Sequence, residues 1–234
     1  MYDYPHAESA SLFADLEAEL DELGDRTFTG PNVESLPIDG LSYVSDFVSA
    51  DEERALLVAV DQGHWNAIWQ RRTQHFGRRY EGWISGEREC AALPDWAQPI
   101  GRRIKTLSLF EELPNQIGIN EYLPGQGIAP HIDRHCGPVA SLSLGSGCVM
   151  DLVSLFGKPT ISFWLAPRSL IVLRGEARSA WKHGIARRQK DVIDGRIYRR
   201  RRRVSITFRR LVDLEPIERR PGPDIDGSQP ARVA

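Results

Sequence analysis

Two side chains that can bind a metal ion stand two residues apart near the middle of the chain. They are His131 and Asp133, at the end of the segment 120–133. In an extended backbone, residues i and i+2 point to the same side of the strand. A site with two histidines and one carboxylate needs one more histidine, and it leaves coordination positions open for reactants. His183, in Trp-Lys-His-Gly-Ile, is the best candidate. These ligands suit iron(II), although zinc could bind the same residues.

A second candidate group lies in the sequence Arg203-Val-Ser-Ile-Thr-Phe-Arg209. Strand alternation places its polar side chains on one face and its apolar side chains on the other. We therefore expect Arg203 and Arg209 to line a pocket beside the metal, where a guanidinium can bind a carboxylate through two parallel hydrogen bonds. The alternative makes the arginine run 199–203 a solvated basic surface that contacts phosphate. We expect both, with Arg203 inside the pocket and the preceding arginines outside.

Aromatic and basic residues are interleaved between residues 65 and 80. An enzyme that extrudes a base from a nucleic acid needs rings that stack on the base and cations that neutralise phosphates. The segment offers both, and the candidate substrate contacts in it are Trp65, Trp69, Arg72 and Phe76. The alternative is that these aromatic side chains are ordinary core or surface residues, because large rings dominate cores in any case.

Four motifs in this order resemble the AlkB group of iron(II)/2-oxoglutarate dioxygenases. They are Asn120-x-Tyr122, His131-x-Asp133, His183 and Arg203-x5-Arg209. The resemblance covers roughly residues 41–211. It is closest to the subgroup that includes the dioxygenase domain of the eukaryotic tRNA wobble-uridine hydroxylase. The cofactors that it implies are Fe(II), 2-oxoglutarate and O2, the last two as cosubstrates.

The resemblance also implies a role for each motif. The implied metal ligands, which form the catalytic centre, are His131, Asp133 and His183. The implied 2-oxoglutarate contacts are Arg203 at the distal carboxylate, Arg209 at the other end of the molecule, and Asn120 and Tyr122 as hydrogen-bonding residues. The segment 65–80 resembles the substrate lid of AlkB relatives.

Two further positions bear on the substrate. Phe76, which precedes a glycine, matches an aromatic residue that often packs on the flipped base in AlkB relatives. His135 stands where the founding repair enzyme of the family has an acidic residue near the exocyclic amine of the damaged base, and the wobble-uridine subgroup also has histidine there. An imidazole donates and accepts differently from a carboxylate. A preference for methylated adenine or cytosine therefore does not carry over to this chain.

The elements that must position these residues are two helices followed by many short strands. Ser49-Ala-Asp-Glu-Glu predicts a helix from an N-cap at Ser49 to about Val60, and a second helix is expected from Pro94 to Phe110. Short extended segments with glycine and proline between them continue to Leu211. This order predicts a mainly β protein with flanking helices, of the double-stranded β-helix or jelly-roll type that the resemblance also implies.

We expect one domain of 41–212 that includes the lid 65–80, between two extensions. Residues 1–40 form an acidic, partly ordered extension in which 10–23 could be an amphipathic helix, and 213–234 form a disordered tail. The 234 residues, 41% hydrophobic with a net charge of −2, suit a soluble globular protein. Three cysteines without paired spacing suggest neither a disulfide framework nor a zinc knuckle. No apolar run approaches the length of a membrane span, so we expect no membrane partner. With these cysteines we expect a cytoplasmic protein, and no obligate protein partner is evident.

The first functional hypothesis is oxidative dealkylation of alkylated DNA or RNA, which would release formaldehyde, succinate and CO2 and would serve DNA repair or RNA modification. The second is stable hydroxylation of a modified tRNA base side chain, suggested by His135 and by the subgroup. A third is hydroxylation of a protein. A barrel that binds metal or nucleic acid without turnover is the non-catalytic alternative. In each nucleic-acid hypothesis the partner is alkylated DNA or RNA, or tRNA.

Overall fold

Fourteen strands and three helices position the candidate site. The computed structural model describes residues 33–68, 71–78, 92–133, 136–193 and 195–211, and these counts refer to them. The strands are β1 (Val33–Ser35), β2 (Leu41–Val44), β3 (Asn66–Ile68), β4 (Arg71–Gly77), β5 (Gln116–Tyr122), β6 (Ile128–His131), β7 (Cys136–Gly145), β8 (Cys148–Ser154), β9 (Ile161–Leu165), β10 (Leu170–Leu173), β11 (Trp181–Ile185), β12 (Lys190–Ile193), β13 (Arg196–Arg199) and β14 (Arg203–Leu211). The helices are α1 (Ala50–Gln62), α2 (Ala97–Thr106) and α3 (Gly175–Ser179).

Two antiparallel sheets make up the body of the fold. The larger has eight strands in the order β1-β2-β10-β7-β14-β5-β4-β3, and the smaller has four in the order β6-β11-β8-β9. Strands that are distant in the sequence are therefore neighbours, as when β14 lies between β7 and β5. This arrangement confirms the predicted mainly β fold of the jelly-roll type with flanking helices.

Strand β14 shows why the larger sheet can be apolar on one side and polar on the other. Val204, Ile206 and Phe208 are buried in a core that also contains residues of α1 and α2. The alternate side chains from Arg203 to Arg209 line a cavity on the opposite side of the sheet. The structure therefore has the predicted alternation on this strand, and helices α1 and α2 cover its apolar face.

The first two helices are tied to each other as well as to the sheet. Helix α1 begins with a capping box, in which the backbone N–H of Glu52 donates to Ser49 Oγ and the backbone N–H of Ser49 donates to the Glu52 carboxylate. Arg103 of α2 binds the same carboxylate with both terminal nitrogens, at 2.6 and 3.2 Å. Helix α1 matches its prediction, whereas α2 is shorter than predicted. No helix within the described ranges has the length and apolar character to cross a bilayer.

The predicted boundaries differ in part from the structure. Strand β1 pairs with β2 and so joins the larger sheet ahead of residue 41, where we expected the domain to begin. The described residues of the expected lid 65–80 form β3 and β4, which extend the same sheet. The segments 1–32 and 212–234 lie outside the described residues. The proposed N-terminal helix and C-terminal tail lie in these two segments. Trp69 and His135 also lie outside the described residues.

A two-stranded hairpin, β12–β13, connects β11 to β14 and corrects the expectation for the arginine run. Arg200 is only 8% exposed, and its Nε and Nη2 atoms donate to the carboxylate of Asp191 at 2.6 and 2.8 Å. Its Nη1 atom donates to the carbonyl of Ala186 at 2.8 Å. Arg202 is also bound, to Asp61 and Glu121. Within the run 199–202, Arg199 and Arg201 are exposed without an acidic partner in the described chain, whereas acids of β12, α1 and β5 pair with Arg200 and Arg202.

We expect Asp191→Ala to lower the free energy of unfolding by about 3–5 kcal/mol, because it leaves the buried guanidinium of Arg200 without its counter-charge. Urea unfolding monitored by circular dichroism measures the change. Lys190→Ala, at the exposed neighbouring position, is the matched control and should change stability by about 0.5 kcal/mol or less. Equal stabilities of the two variants would contradict a structural role for the pair.

Candidate active site

A cavity of about 700 Å³ lies between the two sheets. The larger sheet contributes side chains from β4, β5, β7 and β14, and the smaller sheet contributes side chains from β6, β8 and β11. Its size is within the range of small-molecule sites. Three arginines and one aspartate carry the charge of its described lining, namely Arg71, Arg203, Arg209 and Asp133.

Three candidate metal ligands meet at the smaller sheet's side of this cavity. His131 on β6 and His183 on β11 are direct cross-strand partners, and their ring centroids are 4.4 Å apart. Asp133 follows β6, with carboxylate oxygens 3.5 Å from His131 Nε2 and 4.0 Å from His183 Nε2. Their potential ligand atoms all lie within 4.8 Å of one another. The structure therefore brings together the two imidazoles and the carboxylate that the spacing singled out.

The backbone around the histidines helps to hold this arrangement. The Nδ1 atom of His131 is 2.9 Å from the carbonyl oxygen of Ala129. A proton on Nδ1 satisfies this contact and leaves Nε2 free to bind a cation. Gly184 follows His183, and a Cβ atom there would come within 2.9 Å of the backbone nitrogen of Pro130. The absence of a side chain at residue 184 thus lets β6 and β11 approach closely beside the histidine pair.

Burial, charge and hydrogen bonding shift the pKa values of the three candidate ligands in different directions. Burial lowers the pKa of His183 to about 4, so this imidazole is neutral near pH 7. Burial alone would raise the pKa of Asp133, but the guanidinium of Arg209 and the adjacent histidines outweigh it and hold that pKa well below its usual range. Burial would lower the pKa of His131, whereas hydrogen bonding to Asp133 and Ala129 raises it overall.

Arg209 lies directly behind the candidate metal ligands. Its Nε and Nη2 atoms are 3.3 Å from Asp133 Oδ2, and Nη1 is 3.4 Å from Gln116 Oε1. Gly118 on the neighbouring strand provides the space, since a Cβ atom there would stand 2.9 Å from Nη1. Arg209 therefore orients and neutralises the carboxylate in the absence of a cation.

Arg203 is the residue best placed to bind an acidic ligand. It is 2% exposed and donates from Nη2 to Ser143 Oγ at 2.8 Å, while its Nε and Nη1 atoms are buried without a hydrogen-bond partner among the described residues. Its guanidinium also lies 5.4 Å from the centre of the Tyr122 ring. An unpaired buried guanidinium is costly. A carboxylate would satisfy the free nitrogens, so the residues present fit the distal carboxylate of 2-oxoglutarate.

Asn120 and Tyr122 lie beside Arg203, and a further arginine joins them. Arg71 on β4 donates from Nε to Asn120 Oδ1 at 2.9 Å, and its guanidinium lies 5.9 Å from the Tyr122 ring centre. Both Asn120 and Tyr122 line the cavity. Burial raises the pKa of Tyr122, so its hydroxyl stays protonated as a hydrogen-bond donor.

The candidate substrate contacts on β3 and β4 do not reach the cavity in this structure. Trp65 and Phe76 pack against the core beneath the helices, and Arg72 binds Glu121 through two hydrogen bonds while its guanidinium lies over the Trp65 ring. The cavity is lined instead by Arg71, Thr73 and His75, on the other face of β4. The i, i+2 spacing of these polar residues was the signal that could have identified them. Trp69 and His135 belong to the segments without a described placement.

Comparison with known proteins decides the family. The family model of the 2OG-Fe(II) oxygenase superfamily matches residues 59–209. An alkylated DNA repair protein ALKBH8 homolog of Arabidopsis thaliana is 34% identical, over 75% of this chain and 59% of its own length. The chain is a 2OG-Fe(II) oxygenase of the AlkB family.

Other relatives of this AlkB-family oxygenase differ in length. The uncharacterized protein L905 of Acanthamoeba polyphaga mimivirus is 33% identical, over 75% of this chain and 86% of its own length. The tRNA (carboxymethyluridine(34)-5-O)-methyltransferase alkbh8 of Xenopus tropicalis is 36% identical over 68% of this chain, which spans only 27% of that protein. The solved structure of OsALKBH1 has a TM-score of 0.62 at 13% identity, over 76% of this chain and all of the other, and it shows the shared fold.

Membership of the family specifies the cofactors, which are Fe(II), 2-oxoglutarate and O2. The two imidazoles and the carboxylate would hold the iron, and Arg203 would hold the distal carboxylate of 2-oxoglutarate. Bound together, the cofactors supply an oxidant for C–H hydroxylation, with CO2 and succinate as the other products. The chain's own part would be to orient the imidazole of His131 through Ala129, to hold Asp133 ionised through Arg209, and to surround the reactants with the two sheets.

Proposed function

We propose that this AlkB-family oxygenase hydroxylates a C–H bond in the side chain of a modified RNA base, with tRNA as the polymer, and that the new hydroxyl group persists in the product. The observation that carries the proposal is the excess of positive charge in the described lining of the cavity. This excess favours the proposed reaction over the removal of methyl groups from cationic bases.

The charge argument compares the occupied cavity with its substrates. Iron(II) and the 2-oxoglutarate dianion cancel each other, so the three guanidinium groups of Arg71, Arg203 and Arg209 still face the single carboxylate of Asp133. Adenine methylated at N1 and cytosine methylated at N3 are cations, which such a lining would repel. A neutral or anionic group would be attracted. The remaining positive charge therefore favours a substrate with a carbonyl or carboxylate group.

Arg71 is the residue placed to meet such a group. It lines the cavity and has no acidic partner among the described residues, in contrast to Arg209, which faces Asp133. The relative from Xenopus tropicalis is named for a tRNA carboxymethyluridine, a base whose side chain ends in a carboxylate. A guanidinium could bind this side chain or its ester carbonyl while a neighbouring C–H bond reacts.

Oxidative dealkylation is the second candidate. It is supported by the relative from Arabidopsis thaliana, which is named as an alkylated DNA repair protein. The two reactions share the hydroxylation step and differ in the atom that carries the hydroxyl group. A hydroxymethyl group on nitrogen releases formaldehyde, whereas an alcohol on a carbon side chain is stable.

The test supplies the protein with Fe(II), 2-oxoglutarate and O2 and compares four RNA stem-loops of the same sequence. One carries a carboxymethyluridine, one its methyl ester, one an unmodified uridine and one an N1-methyladenine. We expect succinate formation with the first or second RNA, one oxygen atom added to its base by mass spectrometry, and no formaldehyde. Matching yields of formaldehyde and succinate with the fourth RNA would establish the dealkylase instead.

A matched variant separates turnover of 2-oxoglutarate from recognition of the base. Arg71→Met should reduce hydroxylation of the favoured RNA more than it reduces succinate formation without substrate. Arg72→Met, at the neighbouring position that binds Glu121 outside the cavity, is the control. Equal hydroxylation by both variants would contradict the role of Arg71, and a lack of stimulation by all four RNAs would contradict the proposed function.

A further inference from the structure

The β12–β13 hairpin joins two strands of the active site and presents an unpartnered face. It begins after β11, which carries His183, and ends before β14, which begins with Arg203. Its register pairs Lys190 with Arg199 and Val192 with Ile197, so these four side chains share one face. Val192 and Ile197 are 59% and 61% exposed. We call this surface the ribbon face.

The opposite face anchors the hairpin to the protein. Asp191 is fully buried against Arg200, and the ring of Tyr198 lies 5.0 Å from that of Trp164 on the outer strand of the smaller sheet. The backbone N–H of Arg200 donates to the carbonyl of Gln189. These contacts hold the hairpin in one position, so that a ligand of the ribbon face would not have to order it.

The charge of this part of the chain is strongly unbalanced. Between Gly184 and Arg203 the sequence has nine basic residues, counting Arg203, and two acidic ones, although the whole protein has a net charge of −2. Arg188, Arg200 and Arg202 are paired with carboxylates. Five further cations are exposed and form no ion pair within the described residues: Arg187, Lys190, Arg196, Arg199 and Arg201.

The arrangement of these cations fits a linear polyanion. Lys190 and Arg199 face each other across the hairpin at about 5 Å, whereas strand alternation places Arg196 on the opposite face. The exposed side chains of Val192 and Ile197 lie beside the Lys190–Arg199 pair, where they can contact sugars or bases. Lysine and arginine bind phosphates, and arginine can do so through two hydrogen bonds.

We propose that the ribbon face binds the phosphate backbone of the RNA whose base is modified in the cavity. This inference rests on the proposed function for the identity of the polymer. The hairpin would hold the strand from outside, while Arg71 contacts the base inside the cavity. Removal of the ribbon cations should therefore weaken RNA binding without changing the chemistry of the metal site.

The test variant is Lys190→Gln/Arg199→Gln. Binding of bulk tRNA by the full chain is measured at several salt concentrations, together with succinate formation in the absence of substrate. We expect the log-log salt slope to fall by about 1.4, since each phosphate contact with single-stranded RNA contributes about 0.7. Affinity at low salt should fall on the order of 10- to 100-fold, with succinate formation unchanged.

The matched control removes two exposed cations elsewhere, as Arg102→Gln/Lys105→Gln on α2. An equal loss of affinity in the control, or unchanged binding by the ribbon variant, would overturn the inference, as would a wild-type protein that does not bind tRNA. Competition by polyglutamate as strong as that by RNA would assign the face to an acidic protein instead. Ribbon-dependent binding without hydroxylation would refute the proposed function alone, whereas hydroxylation with an unchanged KM for the RNA after loss of the ribbon cations would refute this inference alone.

Discussion

Replacement of Arg203 by methionine should raise the KM for 2-oxoglutarate by on the order of 100-fold or more, because truncating one partner of a buried charge pair costs about 2–5 kcal/mol. The guanidinium is 2% exposed and has two nitrogen atoms without a hydrogen-bond partner in the described part of the chain, so a bound carboxylate would complete its hydrogen bonding. Arg203→Lys retains a charge but cannot reproduce two parallel hydrogen bonds, and it should also bind 2-oxoglutarate weakly. Steady-state succinate formation over a range of 2-oxoglutarate concentrations measures both variants.

The same substitution should stabilise the ligand-free protein, which a loss of packing alone would not do. Methionine replaces a buried charge that has no acidic partner, and such replacements are neutral or stabilising by about 1–4 kcal/mol. Addition of 2-oxoglutarate should raise the Tm of the wild type and leave that of the variant unchanged. Arg201→Met, at an exposed position nearby, is the control. An unchanged KM in Arg203→Met would show that the cosubstrate binds elsewhere.

Asp133→Ala should lower succinate formation by more than ~100-fold, because changes to residues that merely support metal ligands already cost about 10- to 100-fold. The carboxylate is the anionic member of the candidate ligand set and lies within reach of both imidazoles. Calorimetric titration with Mn(II), which prefers the same oxygen and imidazole ligands, should show a corresponding loss of metal affinity.

The control for this substitution is Asp51→Asn, which removes a negative charge from the exposed start of α1. It should leave both metal affinity and turnover unchanged. His131→Ala and His183→Ala should behave as Asp133→Ala does, since all three residues would supply one ligand each. Retention of metal binding and succinate formation by Asp133→Ala would contradict the assignment of the ligand set.

The parts of the site that sequence predicted best are those with a distinctive alternation or spacing. On β14, arginine, serine and threonine alternate with valine, isoleucine and phenylalanine, so the pattern specifies which residues face the cavity. Strand β4 has no such alternation of polar and apolar residues. The polar residues Arg72 and Gln74 interrupt its core face, while Thr73 and His75 are on the face toward the cavity. Phe76 therefore suggested a substrate contact, although its ring packs against the core.

Ion pairs between residues that are apart in the sequence were the other feature that the local sequence did not predict. Nothing local distinguishes Arg200 and Arg202 from the exposed arginines beside them, because their acidic partners come from β12, α1 and β5. The turn of the hairpin, in contrast, has a signal in the local sequence. The two residues between β12 and β13 are Asp194 and Gly195, and an Asp-Gly pair favours a tight turn between antiparallel strands.

The cross-strand pairing of His131 with His183 has a consequence for folding as well as for catalysis. Among the described strands, β6 is at the edge of the smaller sheet and pairs with β11 alone, through a pairing that shifts register after His183. An ion bound by both imidazoles and by Asp133 would act as a cross-link between β6 and the rest of that sheet. Iron would thus contribute binding free energy to the native state, and strand β6 would be most stably attached to the barrel in the metal-bound, active form of the protein.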